Sequence, residues 1–255
     1  MDWLSLDQPA LMKKFQEIGQ RIRKGELEIG RHHYALSLAH GVMQAIMCGY
    51  HRISAVELGV AHGGGLFDLC KAAAFFRDEC QIDIQVWGID NAAGLPPLTS
   101  YKDHPEIWHP EQFKMQSPDK ITEKLPAFAH LLIGDVGDLV QQFFHETYGS
   151  RLGFVAIDLD YYSSTKRALP LLAGDPNAYI PIVPVYVDDV NVLLSYNTWC
   201  GEAAAIAEFN QQQEFRKIEP KPNFRIHNFH VCHVFDHPIR SGAIKPRLPF
   251  EIRSI

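Results

Sequence analysis

The chain lacks several features that would place it in a common class of protein at once. Its 255 residues hold no long uncharged apolar run, so we expect no membrane span and no membrane partner. The first residues lack the basic and apolar blocks of a signal peptide. The five cysteines are scattered and form no Cys-x-x-Cys pair, which argues against a disulfide framework or a zinc site and favours reduced thiols. We therefore expect a cytoplasmic protein.

An excess of positive charge is also lacking. The formal net charge is -6, which argues against a nucleic-acid partner. The sequence has neither a Gly-x-Ser-x-Gly elbow nor a phosphate loop, so it does not support a hydrolase or a kinase. The dinucleotide-binding motif Gly-x-Gly-x-x-Gly is also missing, which disfavours a nicotinamide-dependent reductase. No internal repeat and no flexible linker is visible. We expect one domain over residues 1–255.

Strand-like and helix-like segments alternate along the chain, which predicts a doubly wound α/β fold with a mostly parallel sheet. Residues 1–50 are expected to form an N-terminal helical cap, and residues 224–235 to hold one or two strands of a C-terminal antiparallel hairpin. Residues 95–120 show no clean period and are predicted to form a lid loop. The predicted strands of the sheet are residues 53–58, 84–90, 130–133, 153–159 and 180–187.

The first of these strands ends in an acid and a glycine-rich turn. Glu57 is followed by Gly59 and then by three consecutive glycines that begin with Gly63. Glycines let the backbone pass close to a ligand where a side chain would clash. The spacing of these glycines is wider than in the Gly-x-Gly-x-x-Gly motif, which suits a ligand without a pyrophosphate. The simpler alternative is an ordinary tight turn with no ligand.

Carboxylates end each of the five predicted strands. Ligands of open α/β sheets bind outside the carboxyl ends of the strands, so these acids are expected to converge on one rim. Their repulsion would be relieved by a metal ion or by a positively charged cofactor. Helix capping is the alternative for Asp160 and Asp135. The acids are Glu57, Asp90, Asp135, Asp158, Asp160, Asp188 and Asp189.

The predicted lid carries further candidates. Trp108 and Phe113 could stack on a ring of the substrate or anchor the loop to the core. His104 and His109 are weaker candidates for bases on the acceptor side. His62 lies within the glycine turn and is expected near the ligand, where a non-catalytic role is favoured over a catalytic one.

Taken together, these residues resemble the class I S-adenosylmethionine-dependent methyltransferases, and more narrowly the macrocin O-methyltransferase family. That family carries Asp-x-Asp-x-Tyr-x-Ser-Thr after the fourth strand, which residues 158–165 match in full. An Asp-Asp pair follows the fifth strand, here Asp188 and Asp189, although Val190 stands where the family usually has tyrosine. The Gly-x-x-x-Ala-x-x-x-Phe helix is similar to residues 201–209.

The resemblance implies a Rossmann-like fold and a role for each residue that matches. Glu57, Gly59 and Gly63 would line the methionine end of S-adenosylmethionine. Asp90 would accept the two ribose hydroxyls, and Asp135 would lie near the adenine amino group. The general base would be Asp160. A Mg²⁺ ion would be held by Asp158, Asp188 and Asp189.

The expected reaction is therefore O-methylation of a small-molecule acceptor with hydroxyl groups, such as a glycoside. The competing hypothesis is a binding or regulatory protein that keeps the fold without the chemistry. The intact set of Asp158, Asp160, Asp188 and Asp189 favours the enzyme. Whether the protein forms a homo-oligomer is left open.

Overall fold

A computed structural model describes residues 3–190 and 193–255 of the chain. Within these residues, seven strands form one mixed sheet in the spatial order β3-β2-β1-β4-β5-β7-β6. The strands are β1 (Arg52–Leu58), β2 (Asp83–Asp90), β3 (Ala129–Ile133), β4 (Arg151–Ile157), β5 (Ile182–Val187), β6 (Arg216–Pro220) and β7 (Phe229–Val234).

The first five strands are parallel, and β7 pairs antiparallel with both β5 and β6. The doubly wound, mostly parallel sheet with an antiparallel C-terminal hairpin is thus confirmed. Residues 224–235 supply one strand of the hairpin, β7, which agrees with the predicted one or two strands, and its partner β6 lies before them. The short β6 carries charged side chains and a proline at an edge of the sheet, so its sequence gives little strand signal.

Helices cover both faces of the sheet, as the alternating order requires. The expected helical cap over residues 1–50 consists of two different helices. The second of them, α2, is buried on nearly every side because it packs on β4 and β5 and also contacts α1 and α3. It therefore belongs to the covering layer. The α-helices are α1 (Gln8–Arg23), α2 (His32–Cys48), α3 (Gly64–Cys80), α4 (Pro118–Lys124), α5 (Val136–Glu146), α6 (Tyr162–Ala168) and α7 (Gly201–Gln212).

Helix α2 approaches the sheet through two glycines. A Cβ atom at Gly41 would lie only 2.1 Å from the carbonyl oxygen of Gly153 in β4. No side chain larger than hydrogen fits at this crossing, so the helix backbone rests directly on the strand.

Glycines also shape the turn between β1 and α3. Gly59 and Gly63 have φ values of +85° and +87°, which residues with a side chain rarely adopt. A Cβ atom at Gly59 would lie 1.8 Å from the carbonyl oxygen of Asp158. The turn therefore lies against the end of β4, and it requires glycine for reasons of both space and backbone conformation.

Within the described part of the chain, no helix has the length and apolarity needed to cross a membrane.

Candidate functional site

A cavity of about 430 Å³ opens at the carboxyl ends of the parallel strands. Its walls come from the glycine turn, from the residues that follow β2 to β5, and from the predicted lid. Six aspartates line it, which gives the walls a strongly acidic character; they are Asp90, Asp135, Asp158, Asp160, Asp188 and Asp189. The convergence of strand-end acids on one rim is what the sequence predicts.

Asp90 holds the glycine turn in place. Its Oδ2 atom accepts hydrogen bonds from the backbone N–H groups of Val60 and Ala61 at 2.7 and 2.9 Å. Its Oδ1 atom accepts from the N–H of Ala92 at 2.6 Å. A carboxylate has about four acceptor positions, so these three bonds leave about one for a ligand. The ribose hydroxyls that the resemblance assigns to Asp90 would therefore share a carboxylate already bound to the backbone.

The structure does not place Glu57 and Gly63 among the residues that line the cavity. Glu57 is 1% exposed and accepts a hydrogen bond from the hydroxyl of Tyr34 at 2.9 Å. It lies directly beneath Gly65, where an added Cβ atom would be 1.9 Å from Glu57 Oε1. Burial, together with the nearby Asp158 carboxyl, raises the pKa of Glu57 to about 8. Both residues thus support the glycine turn from outside the cavity, while Gly59 lines it.

Arg31 lines the cavity, and the sequence analysis missed it. Its Nη1 atom donates to Asp158 Oδ2 at 2.8 Å and to the Tyr34 hydroxyl at 2.7 Å. Arg31 directly precedes α2, and its backbone N–H donates to Asp68 on α3 at 2.9 Å. The sequence feature that could have pointed to Arg31 is a single cation at the start of an otherwise apolar helix. Only the fold shows that the helix begins beside β4.

Asp158, Asp188 and Asp189 meet at one point. One carboxylate oxygen from each lies within 4.8 Å of the others. They converge because β4 and β5 are parallel neighbours, with Ile157 opposite Val187, and the aspartates follow directly. Burial raises the pKa of Asp158, and the charge of Asp188 adds to this effect.

Two tyrosines orient the pair that follows β5. The Tyr186 hydroxyl donates to Asp188 Oδ1, and the Tyr196 hydroxyl donates to Asp189 Oδ1 at 2.6 Å. Tyr196 thus supplies a phenol beside the Asp pair, although the family's tyrosine position holds Val190. Asp189 Oδ2 is buried and has no hydrogen-bond partner among the described residues. Three hard oxygen ligands with one unpartnered atom fit a divalent cation such as Mg²⁺.

Asp160 takes a conformation that the sequence did not indicate. Its φ of +59° turns the chain away from the extended path that β4 follows, so alternation along a strand does not explain its position. Its buried side chain lies against Asp189, and burial together with the Asp189 charge raises its pKa. Helix capping does not account for Asp160, because Tyr161 occupies the N-cap of α6.

Asp135 does cap a helix. Its Oδ1 atom accepts from the N–H of Gly137 at 2.8 Å, in the first turn of α5, and from Arg167 Nε at 2.9 Å. The capping alternative is therefore observed at Asp135. The same residue also lines the cavity, so capping and ligand contact are compatible here.

Glu202 connects the two acidic loops and was not singled out from the sequence. It is fully buried in the first turn of α7. Its two carboxyl oxygens accept from the N–H of Leu159 at 3.0 Å and from the N–H of Asp189 at 2.9 Å. One side chain thereby sets the distance between the loop after β4 and the loop after β5.

The predicted lid lies over the cavity and is fixed near its middle. Buried Asp103 accepts from the N–H of Thr99 at 2.9 Å and from the N–H of Ser163 at 2.8 Å. Beyond this anchor, Trp108 and Phe113 line the cavity with their rings 5.7 Å apart.

The three histidine candidates differ in position. His104 is buried, with Nδ1 2.8 Å from Glu106, and its ring faces Tyr196. His62 lines the cavity, whereas His109 is exposed and is not among the lining residues. The structure therefore brings His62 to the cavity but not His109.

Comparison with known proteins supports the fold. No protein-family model and no curated protein matches the chain. The solved structure of the calicheamicin methyltransferase CalS11 is 16% identical, with 91% of this chain and 95% of that chain covered at a TM-score of 0.56. The O-methyltransferase NovP is 18% identical, with 80% and 79% covered at a TM-score of 0.54. This chain therefore has the fold of the class I S-adenosylmethionine-dependent methyltransferases.

Proposed function

We propose that the protein is an S-adenosylmethionine-dependent O-methyltransferase that acts on a hydroxyl of a small molecule. The observation that carries the proposal is one cavity that joins the glycine turn to the cluster of Asp158, Asp188 and Asp189. The cofactor would supply an electrophilic methyl group on its sulfonium. The acid cluster would face the acceptor. Such a reaction requires alignment of the acceptor oxygen and a group to take its proton, which the two halves of the cavity can provide.

Different residues along the edge of the sheet would bind different parts of the cofactor. The glycine turn would line the methionine end of the cofactor, Asp90 would hold the ribose, and Asp135 with Val136 would lie beside the adenine. The rings of Trp108 and Phe113 would exclude water from above. This arrangement would leave the ends of β4 and β5 for the acceptor.

The acid cluster would prepare the acceptor hydroxyl. A Mg²⁺ ion held by Asp158, Asp188 and Asp189 would lower the pKa of a hydroxyl that it contacts. Asp160 would accept the proton, because its buried side chain lies beside Asp189 at the edge of the proposed metal site and lines the same cavity. Neighbouring hydroxyls suit the open positions of such an ion, so a glycoside or a related natural product is the proposed acceptor class. We place the enzyme in the cytoplasm, with no nucleic-acid or membrane partner.

The first test is cofactor recognition. S-adenosylmethionine and S-adenosylhomocysteine should bind in isothermal calorimetry, and NAD should not. Incubation with labelled S-adenosylmethionine and a panel of glycosides and catechols should give a methylated product. Binding of NAD with no response to either sulfur compound would contradict the proposal. Binding of S-adenosylmethionine without transfer to any acceptor would favour the non-catalytic alternative.

The second test is the metal. Asp188→Asn should lower turnover roughly 10- to 100-fold, while the affinity for S-adenosylhomocysteine stays near that of the wild type. Asp160→Asn should lower turnover and leave Mg²⁺ affinity largely unchanged. Asp138→Asn, which alters an exposed carboxylate paired with Arg167, is the matched control. Full methyl transfer in excess chelator would show that the acid cluster is structural.

A further inference from the structure

Arg31 is the one permanently charged cation among the described residues that line the cavity, where it faces six aspartates. A ligand that brings a carboxylate into this cavity would be repelled by its walls everywhere except near Arg31. S-adenosylmethionine is such a ligand, because its amino-acid end carries an α-carboxylate. The charge distribution therefore restricts where that end can lie.

The guanidinium of Arg31 retains hydrogen-bond donors for a ligand. Arginine has five N–H groups, and the two hydrogen bonds to protein partners both leave from Nη1. For Nη2 and for the side-chain Nε, no hydrogen bond is present within residues 3–190 and 193–255. The side chain is 33% exposed and lies on the cavity wall. One nitrogen of the guanidinium is thus held by the protein, and the donors on the other two nitrogens remain for a ligand.

Its position fits the amino-acid end of the cofactor. Arg31 contacts Asp158 at the end of β4 and lies 3.3 Å from where a Cβ atom at Gly65 would be. Asp135, beside the proposed adenine position, follows β3. Three strand spacings separate β3 from β4, or about 14 Å at roughly 4.8 Å each. An extended ligand with its adenosine at β2 and β3 therefore places its other end near Arg31.

The backbone around Arg31 is fixed by α3. Asp68 Oδ2 accepts from the N–H groups of both Gly30 and Arg31 at 2.9 Å. The same helix begins with the glycines of the turn, so the turn and Arg31 share one rigid support. Asp68 is therefore a positioning residue for the guanidinium.

We propose that Arg31 binds the α-carboxylate of the cofactor's amino-acid end, positioned there by Asp68. The inference rests on the proposed function, because it assumes S-adenosylmethionine in the cavity. A hydrogen bond between two charged groups strengthens binding by roughly 10- to 100-fold.

The test compares S-adenosylmethionine with its decarboxylated analogue, which lacks only the carboxylate, by calorimetry. The wild type should prefer S-adenosylmethionine at least about tenfold. Arg31→Gln should abolish most of this preference, because it should weaken the binding of S-adenosylmethionine and leave the binding of the analogue unchanged. Arg31→Lys should keep part of the preference, since lysine retains the charge but not the planar set of donors. Asp68→Asn should reduce the preference to a smaller extent. Arg52→Gln, at an exposed pair with Asp83, is the control.

The outcomes separate the two proposals. If the wild type binds both compounds equally, or if folded Arg31→Gln keeps the full preference, the role of Arg31 is overturned and the proposed function stands. If the wild type binds neither S-adenosylmethionine nor S-adenosylhomocysteine, the proposed function fails and the role of Arg31 fails with it. If Arg31→Gln does not fold, Arg31→Lys and Asp68→Asn measure the same preference, and an unchanged preference in both overturns the role of Arg31.

Discussion

Two carboxylate oxygens show how local surroundings decide what an acidic residue can do. Glu57 Oε2 and Asp189 Oδ2 are both buried without a hydrogen-bond partner among the described residues. Glu57 is enclosed beneath the glycine turn, where a proton is the simplest way to satisfy it. Asp189 lines the cavity, where a ligand or a cation can reach it. The sequence places both residues at the carboxyl end of a β-strand and does not distinguish them.

Gly64 offers a direct test of the cavity at the scale of one residue. It lines the cavity, has no positive φ, and an added Cβ atom would meet nothing within 4 Å. Gly64→Ala should therefore fold normally, with stability equal to the wild type or higher by about 0.5–1 kcal/mol. The methyl group would occupy ligand space, so affinity for S-adenosylhomocysteine should fall at least roughly tenfold, by about 1.4 kcal/mol.

Gly59→Ala is the informative contrast, since the added methyl would meet the Asp158 carbonyl oxygen. Thermal unfolding should show that this variant is destabilised, whereas Gly64→Ala is not. Unchanged ligand affinity in Gly64→Ala would mean that the cofactor does not pass over this part of the turn.

At the scale of elements, the predictable features are those with strong local patterns. The apolar cores of β1 and β4 marked these strands, and α7 was predicted with the bounds that the structure shows, Gly201–Gln212. The sequence also indicated that the acids at the strand ends converge on one rim, and the pairing of β4 with β5 brings their aspartates together there. It did not connect Arg31 with Asp158, because this contact spans 127 residues of sequence. Nor did it indicate the left-handed Asp160, since aspartate adopts this conformation only where surrounding contacts stabilise it.

The predicted lid can be tested as an element by hydrogen exchange. The anchor at Asp103 joins the segment to Ser163, so amides near residues 99–103 should exchange slowly with and without ligand. Amides of residues 105–114, which include the cavity-lining Trp108 and Phe113, should become protected when cofactor and acceptor bind. Equal protection of residues 105–114 in both states would show that this segment does not act as a lid.

At the scale of the whole molecule, buried acids make stability depend on pH. Burial raises the pKa of Glu57 from 4.5 to about 8, so the folded protein keeps a proton that the unfolded chain loses. This contribution is complete below about pH 4.5 and is lost as the pH rises toward about 8. We expect the free energy of unfolding of the ligand-free protein to fall over this range, on the order of a few kcal/mol from this residue.

Glu57→Gln removes the titrating group and should flatten that fall in denaturant unfolding measured between pH 5 and pH 8. Glu17→Gln, on the exposed side of α1, is the control and should leave the slope unchanged. A Glu57→Gln variant with the wild-type slope would show that the other buried acids carry the dependence.

The contact of Gly41 with Gly153 has a consequence for which substitutions the protein can tolerate. Arg31 precedes Gly41 by ten residues, so about 15 Å of rigid helix joins the crossing to the cavity. A bulkier residue at Gly41 would push α2 off the sheet and displace the guanidinium, although Gly41 does not line the cavity. Variants selected at random for lost cofactor binding should therefore include changes at this remote position.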